Sequence, residues 1–393
     1  MKAYLFISFL FLTSIMLNAQ NEAPAYVDSY EQKFQEALEL MNAFQFKEAQ
    51  DLLSQCYIEF PENIQYLSKL AYCYFQSGRY KDAKMFYGEV LKLDSVNTHA
   101  ISSLGSIYER EANYVKAKEE YEKLIQIDTT NAYYFKRNGY TALRLGDVLA
   151  GIGYFLYAHD LNPHDIEVID QLVTIYLSLG ELEYAEGLLN KGLHLDARNI
   201  KLLQNKARLN QKLKNHEIVI EAIEKTFEQG DTSNYYQMMI GVAYLHVDSI
   251  DQAIFHLESI IEREKDTEHT HHYLGLAYRE KEMHDKSIEH FEKAIAKGIS
   301  PKIDIYHSDL AAVLELEYDY KKAAQHFEKA YEYKGKKEYL FHQARNYDLY
   351  YKDKKIALKY YKKYLATNDE KYKDYTKQRI EQLKEIVHFS SGR

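Results

Sequence analysis

The 393-residue chain has no tryptophan, two cysteines and four prolines. Proline removes a backbone donor and clashes with the preceding helical turn, so its scarcity leaves long stretches free to propagate helix. Runs of β-branched residues are few, which points the same way. Catalytic signatures are missing: there is no phosphate loop with Gly-Lys-Ser/Thr, no HExxH and no GxSxG. The sequence therefore offers no catalytic residue and implies no cofactor. The Gly151-Ile152-Gly153 stretch lacks the third glycine and the preceding strand of a dinucleotide fingerprint, and reads as close-packing positions in a helix. After the first twenty residues no apolar run reaches the roughly 20 residues that span a bilayer.

Met1 to Ala19 differs from the rest of the chain. Lys2 supplies a positive start, Tyr4 to Leu17 is almost wholly apolar, and Asn18-Ala19 leads into polar sequence. That order describes a secretory signal peptide cut between Ala19 and Gln20. An uncleaved membrane anchor is the competing reading. No cysteine follows the apolar run, so a lipoprotein anchor is not supported. The ending resembles the Ala-Gln junction of exported proteins of the Bacteroidota, which places the mature chain in the periplasm or beyond. Export argues against nucleic acid as a partner, including for the Lys/Tyr-rich C-terminal end.

What is present is a repeat. The stretch Thr98 to Asn131 carries Ile101, Leu104, Gly105, Tyr108, Ala117, Tyr121 and Leu124 on two apolar stripes at helical spacing, with a polar turn at Asn113. One such helical pair cannot bury its own apolar faces and needs a neighbour on each side. The sequence supplies them. After a polar lead over 20–29, pairs start at Tyr30, Ile64, Thr98, Ala132, Ile166, Ile200, Asn234 and Glu268 and, after two added residues near Gly298 to Pro301, at Asp304 and Glu338. Ten repeats thus fill 30–371. A final helix over 372–389 carries Tyr375, Ile380, Leu383 and Val387 near helical spacing, as a cap on the exposed end of a stack would, and 390–393 form a disordered tail.

First helices carry Leu70-Ala71 with Tyr74, Leu104-Gly105 with Tyr108, and Leu274-Gly275 with Tyr278. Second helices carry Ala83 with Tyr87, Ala117 with Tyr121, and Ala323 with Phe327 and Ala330, and Pro61 and Pro163 stand at closing turns. This pattern resembles the tetratricopeptide repeat family over nearly all the mature chain. The resemblance implies an all-α fold, a right-handed α-solenoid of stacked helix-turn-helix repeats with a C-terminal capping helix. The small residues at Ala71, Gly105, Gly139 and Gly275 let the partner helix approach, and Tyr87, Tyr121, Phe155 and Phe291 fill the remaining space.

Some positions depart from the pattern. In the repeat from Ile200 to Ser233, Lys206 and Asn210 replace Leu and Tyr, and Val219 replaces alanine. A bend at Lys212–Asn215 or Gly230–Ser233 and tolerated drift are both consistent with this, and 297–302 is a second candidate joint. Cys56 and Cys73 lie in helices of neighbouring repeats and read either as a disulfide or as small core residues. His269, His271 and His272, with His246 one repeat earlier, are the nearest approach to a metal signal. They lack a fixed fourth ligand, so no metal site is assigned. From Lys321 to Glu385, 18 Lys or Arg stand against 10 Asp or Glu.

In a stack of helical pairs the first helices line the concave side. In the resembled family that concavity commonly receives an extended peptide or a partner helix. The inward stripe of the repeat at Ala132 is Tyr133, Lys136, Tyr140 and Arg144, with Arg137 beside it; the repeat at Ile200 offers Lys201, Gln204, Arg208 and Lys212. Flanking repeats add Tyr72, Phe75, Arg110, Tyr235, Met238 and His272. Aromatics interleaved with Arg and Lys dominate binding energy at interfaces. The expected function is a non-enzymatic scaffold that binds a protein or peptide partner outside the cytoplasm. The peptide clamp of co-chaperone members needs an asparagine where Tyr140 stands, so that role is not supported. The alternative is an envelope-associated protein that binds polysaccharide or peptidoglycan through tyrosine faces such as Tyr360 and Tyr361 and the basic C-terminal repeats.

Overall fold

The computed structural model describes residues 29–298 and 300–391, with side chains up to His388. The expected signal peptide at 1–19, and all of the polar lead except Ser29, lie outside the described residues. Among those described, every regular element is a helix. They divide into two compact units, one ending at Leu188 and the other beginning at Leu189.

The first unit contains α1 (29–42), α2 (Phe46–Glu59), α3 (Ile64–Gln76), α4 (Tyr80–Leu93), α5 (Thr98–Arg110), α6 (Tyr114–Ile127), α7 (Ala132–Arg144), α8 (Val148–Leu161) and α9 (Ile166–Leu179). The boundary falls within α10 (Leu182–Leu195). The second unit continues with α11 (Ile200–Leu213), α12 (His216–Glu228), α13 (Asn234–His246), α14 (Ile250–Glu262), α15 (Glu268–Glu280) and α16 (His284–Lys297). It closes with α17 (Ile303–Leu316), α18 (Tyr320–Lys334), α19 (Lys337–Tyr350), α20 (Lys354–Leu365) and α21 (Lys373–Ser391). Within each unit α3/α4, α5/α6, α7/α8 and α11/α12 through α19/α20 are packed hairpins, and second helices pack on the first helix of the next hairpin. Both units are stacks of helical hairpins.

Short polar side chains set where the helices begin. Asn63, Asn97, Asn131, Asp165 and Asn199 each cap a first helix by accepting from backbone N–H groups of its first turn. One residue before each of Val96, Thr130, His164 and Arg198 the chain turns sharply, and Asp94, Asp128, Asn162 and Asp196 accept from those four N–H groups. Inside the hairpins the turn relies on the left-handed region. Phe44, Gly78, Ala112, Gly146, Gly180, Lys214, Asp248, Glu282 and Tyr318 all have positive φ, at intervals of 34 residues until the insertion before α17. Most of these residues carry a Cβ, which disfavours that region by roughly 1–2 kcal/mol. The packed helices on either side supply the compensation.

Small residues face large ones across each hairpin. A Cβ on Gly105 would lie 2.7 Å from the Tyr121 ring, on Gly139 2.9 Å from Phe155, and on Gly275 2.7 Å from Phe291. Gly151 is equally tight against Leu143 at 2.7 Å, but Gly153 faces open space and is no close-packing position. Leu149 and Tyr157 on the outer side of α8 are 83% and 63% exposed.

The degenerate repeat is closed by polar bonds. Asn210 is buried, donates to the Lys206 carbonyl at 2.9 Å and accepts from Asn215 at 3.1 Å. Ala207, Val219, Ala222 and Ile223 share one apolar cluster with Tyr236, Met239 and Ile240, so packed side chains bridge Gly230–Ser233. At the C-terminal end α21 buries Ile380 and Leu383 against Leu340, Phe341, Tyr361 and Tyr364. Tyr375, expected on that stripe, is 51% exposed, since it stands five residues before Ile380 and off its face, and Thr376, four residues before Ile380, is buried in its stead. Cys56 and Cys73 are buried free thiols.

Candidate functional site

Phe34, Leu38, Met41 and Asn42 of α1, Ile64, Gln65, Ser68, Lys69 and Tyr72 of α3, and Asn97 and His99 at the start of α5 enclose a groove of about 640 Å³. Phe34, Leu38, Gln65, Ser68, Lys69, Tyr72 and His99 stand at the same register positions that gave Tyr133, Lys136, Arg137 and Tyr140, applied to the repeats starting at 30, 64 and 98. The sequence signal was therefore present for Phe34, Leu38, Gln65, Ser68, Lys69 and His99, although only Tyr72 among the groove residues was singled out. Burial in this wall holds the His99 imidazole below its ordinary pKa, with Lys69 adding to the effect. Among the described residues Lys69 makes no ion pair, and no carboxylate lines the groove.

The residues expected on the inward stripe of the repeat at Ala132 are engaged within the chain. Lys136 Nζ lies 2.9 Å from both Asp165 and Glu167, on the next hairpin. Burial alone would lower its pKa; hydrogen bonds to Glu167 and Asp165 outweigh this and raise it. Tyr140 Oη donates to Glu167 at 2.8 Å. Desolvation, followed by the Glu167 bond and charge, pushes the phenol well above its usual range. Arg137 pairs with Glu109 and donates to Tyr121 Oη at 3.3 Å, while burial lowers its pKa. These three residues tie consecutive hairpins together. Arg110 lies over the Phe75 ring at 5.0 Å, whereas Tyr72 meets Phe46 edge-on. Tyr133 and Arg144 are exposed.

In the second unit the expected residues separate in the same way. Lys201, Lys212 and Tyr235 are exposed. Gln204 donates to Asp231 at 2.6 Å, and Arg208 to Asn205 at 3.0 Å. Met238 packs beside the cluster of Leu257, Leu274 and Tyr278. His272 Nε2 is 2.7 Å from Asp309, and its ring lies 4.7 Å from Tyr306.

The histidines singled out for metal diverge. His271 turns to His290, His272 to Asp309, and His269 to Glu268, while His246 stacks on His216 with ring centroids 4.2 Å apart. Among the described residues no group of three or more His, Cys, Asp or Glu could hold a metal ion. Of the tyrosines considered for stacking on sugar, Tyr361 is a core residue and Tyr360 is packed on Tyr347 at 4.5 Å. No described helix is long and apolar enough to cross a membrane.

Residues 31–94 match one sequence model described as tetratricopeptide repeat, and residues 98–131 and 269–296 match a second of the same description. No curated protein matches the sequence. Among solved structures, PilF of Pseudomonas aeruginosa is similar at 17% identity, covering 53% of this chain and 96% of that one, with a TM-score of 0.46. YrrB, described as a TPR protein with an unusual peptide-binding site, is 21% identical over 50% of this chain and 97% of its own, with a TM-score of 0.40. A tetratricopeptide repeat protein of Parabacteroides merdae is 14% identical over 73% of this chain and 99% of its own, with a TM-score of 0.33.

Proposed function

We propose that this array of tetratricopeptide repeats is a non-enzymatic scaffold, exported from the cytoplasm, that holds a segment of a protein partner in the groove of α1, α3 and α5. The observation that carries the reading is Lys69. Lys136 and Arg137, on the same face, are neutralised by the chain's own carboxylates, whereas Lys69 stands without one beside an apolar wall. Phe34, Leu38, Met41 and Ile64 suit an apolar side chain of the partner. Gln65 and Asn42 supply amides for its backbone, and Lys69 supplies a cation for a carboxylate. An extended acidic-apolar segment satisfies all three. Export rests on the charge and apolar pattern of residues 1–19.

The test is affinity recovery from the native envelope fraction followed by mass spectrometry. Lys69→Glu and Tyr72→Ala are each expected to lose the partner with helical content unchanged. Recovery that persists in both, and is lost on Arg144→Glu, would move the site off this groove. N-terminal sequencing of the purified chain is expected to start at Gln20; a retained Met1 with membrane attachment would overturn export by cleavage.

A further inference from the structure

The two ends of the helix order carry opposite charge. Over 29–59 six carboxylates stand against two lysines, and over 354–388 ten Lys or Arg stand against five carboxylates. The acidic side chains are gathered. Glu31, Glu36 and Glu39, with Gln32 and Gln35, line one shallow depression along the exposed face of α1, and no cation lines it. Glu31 accepts from Gln35 at 2.8 Å, while Glu36 and Glu39 have no partner among the described residues.

The basic side chains are gathered as well. Between α20 and α21 runs a groove of about 450 Å³ with Leu365 and Ile380 among its lining residues and Lys362, Lys377 and Lys384 along it. Lys384 is held by Glu381 at 2.7 Å. Lys362 and Lys377 are exposed and, among the described residues, have no carboxylate. Lys225, Lys281 and Lys293, exposed in the same way, each lie 2.6 Å from a carboxylate one turn away or on another helix, a contact that these two lack.

We propose that a second copy of this chain supplies α1 to the α20/α21 groove, so that Glu36 and Glu39 of one copy meet Lys362 and Lys377 of the next. Glu36 and Glu39 lie about 4.5 Å apart along α1 at 1.5 Å per residue, and Lys362 of α20 and Lys377 of α21 line one groove. A helix laid in a groove between two others continues the packing used throughout each unit. The two surfaces differ, so the contact is heterologous and propagates into a string or closes into a ring. α21 already covers the last apolar core, and the exposed face of α1 is polar. Charge, not a hydrophobic seam, holds the copies, so association is reversible and falls with salt. This goes beyond the partner groove, which uses other residues.

Sedimentation velocity on the exported chain tests the idea. At about 50 mM salt the share of species larger than monomer is expected to rise with protein concentration, and at about 500 mM to fall. Lys362→Glu with Lys377→Glu, or Glu36→Lys with Glu39→Lys, replaces attraction by repulsion and is expected to weaken association at least about tenfold. All four changes in one chain restore complementarity and are expected to restore association. That rescue also shows that the variants fold. A chain that stays monomeric at low salt, or a fourfold variant that does not recover, overturns the proposal. So does a monomeric chain that binds immobilised polyglutamate through Lys362 and Lys377, which would assign the groove to a foreign acidic partner. Lys69 is untouched in every variant, so the outcome is independent of partner recovery.

Discussion

At Gly105 one hydrogen atom stands where a methyl group would sit 2.7 Å from the Tyr121 ring. Tyr121 is fully buried, donates to Glu109 at 3.2 Å and accepts from Arg137, so it has no room to withdraw. Gly105→Ala is expected to destabilise the first unit by about 1–3 kcal/mol, read as a lower thermal midpoint. Gly153→Ala is the internal contrast. Nothing lies within 4 Å of its added Cβ, and the helix gains by losing backbone freedom, so stability is expected to rise by roughly 0.5–1 kcal/mol. Equal effects at the two positions would mean that packing does not distinguish them.

Three successive hairpins of the second unit hold a polar pair inside the helix seam, with partners 19 residues apart in each. Gln237 meets His256 at 2.7 Å, His271 meets His290 at 3.0 Å, and His307 meets His326 at 2.9 Å. Where Nδ1 faces Nδ1, one ring must donate and the other accept. His271 gives its Nε2 proton to Asp266 at 2.7 Å, so its Nδ1 accepts and His290 donates. Both rings are neutral in this arrangement. Burial holds His290, His307 and His326 down to about 4; His271 adds to this at His290, and His326 at His307, with Lys293 and Lys329 nearby. A lowered folded pKa means that the unfolded chain binds more protons between about pH 4 and 6.5. Stability is therefore complete above pH 6.5 and declines as pH falls toward 4. Thermal midpoints of the second unit are expected to drop across that window. His290→Gln with His326→Gln, which imitates the pair that already contains Gln237, is expected to flatten the slope. An unchanged slope would place the acid sensitivity elsewhere.

In a stack of hairpins each element leans only on its neighbours, so damage at one end should stay near that end. The capping helix tests this. Tyr372 stacks on Phe341 at 4.0 Å, and Ile380 and Leu383 cover Tyr361 and Tyr364. A chain ending at Asn368 exposes those rings at a cost on the order of 5 kcal/mol. Hydrogen exchange is expected to show α19 and α20 losing protection first while α11 to α16 keep theirs. Uniform loss across the second unit would mean that it unfolds as a single block. Electrostatics also acts at this scale, since a net charge of −9 conceals a basic C-terminal end and a more acidic remainder.

The sequence by itself determined the all-helical class and the stacked hairpins. Period and residue size carry both, since a small residue sixteen places before an aromatic, as at Gly105 and Tyr121 or Gly275 and Phe291, specifies a close pair of helices. It also grouped polar and aromatic residues along one stripe of each first helix, because a stripe follows from helical spacing. The tertiary structure decided which of those side chains remain available. Lys136 and Glu167 are 31 residues apart, and His271 and His290 are 19 apart; each pair meets only because one helix is rotated against another. Glycine marks the left-handed turn at Gly78, Gly146 and Gly180, but in other hairpins Phe44, Ala112, Lys214 and Tyr318 hold the same place and were invisible. No side-chain preference marks them, because the packed helices on either side impose the conformation. Lys69 matters for the same reason in reverse: no carboxylate was rotated into its reach.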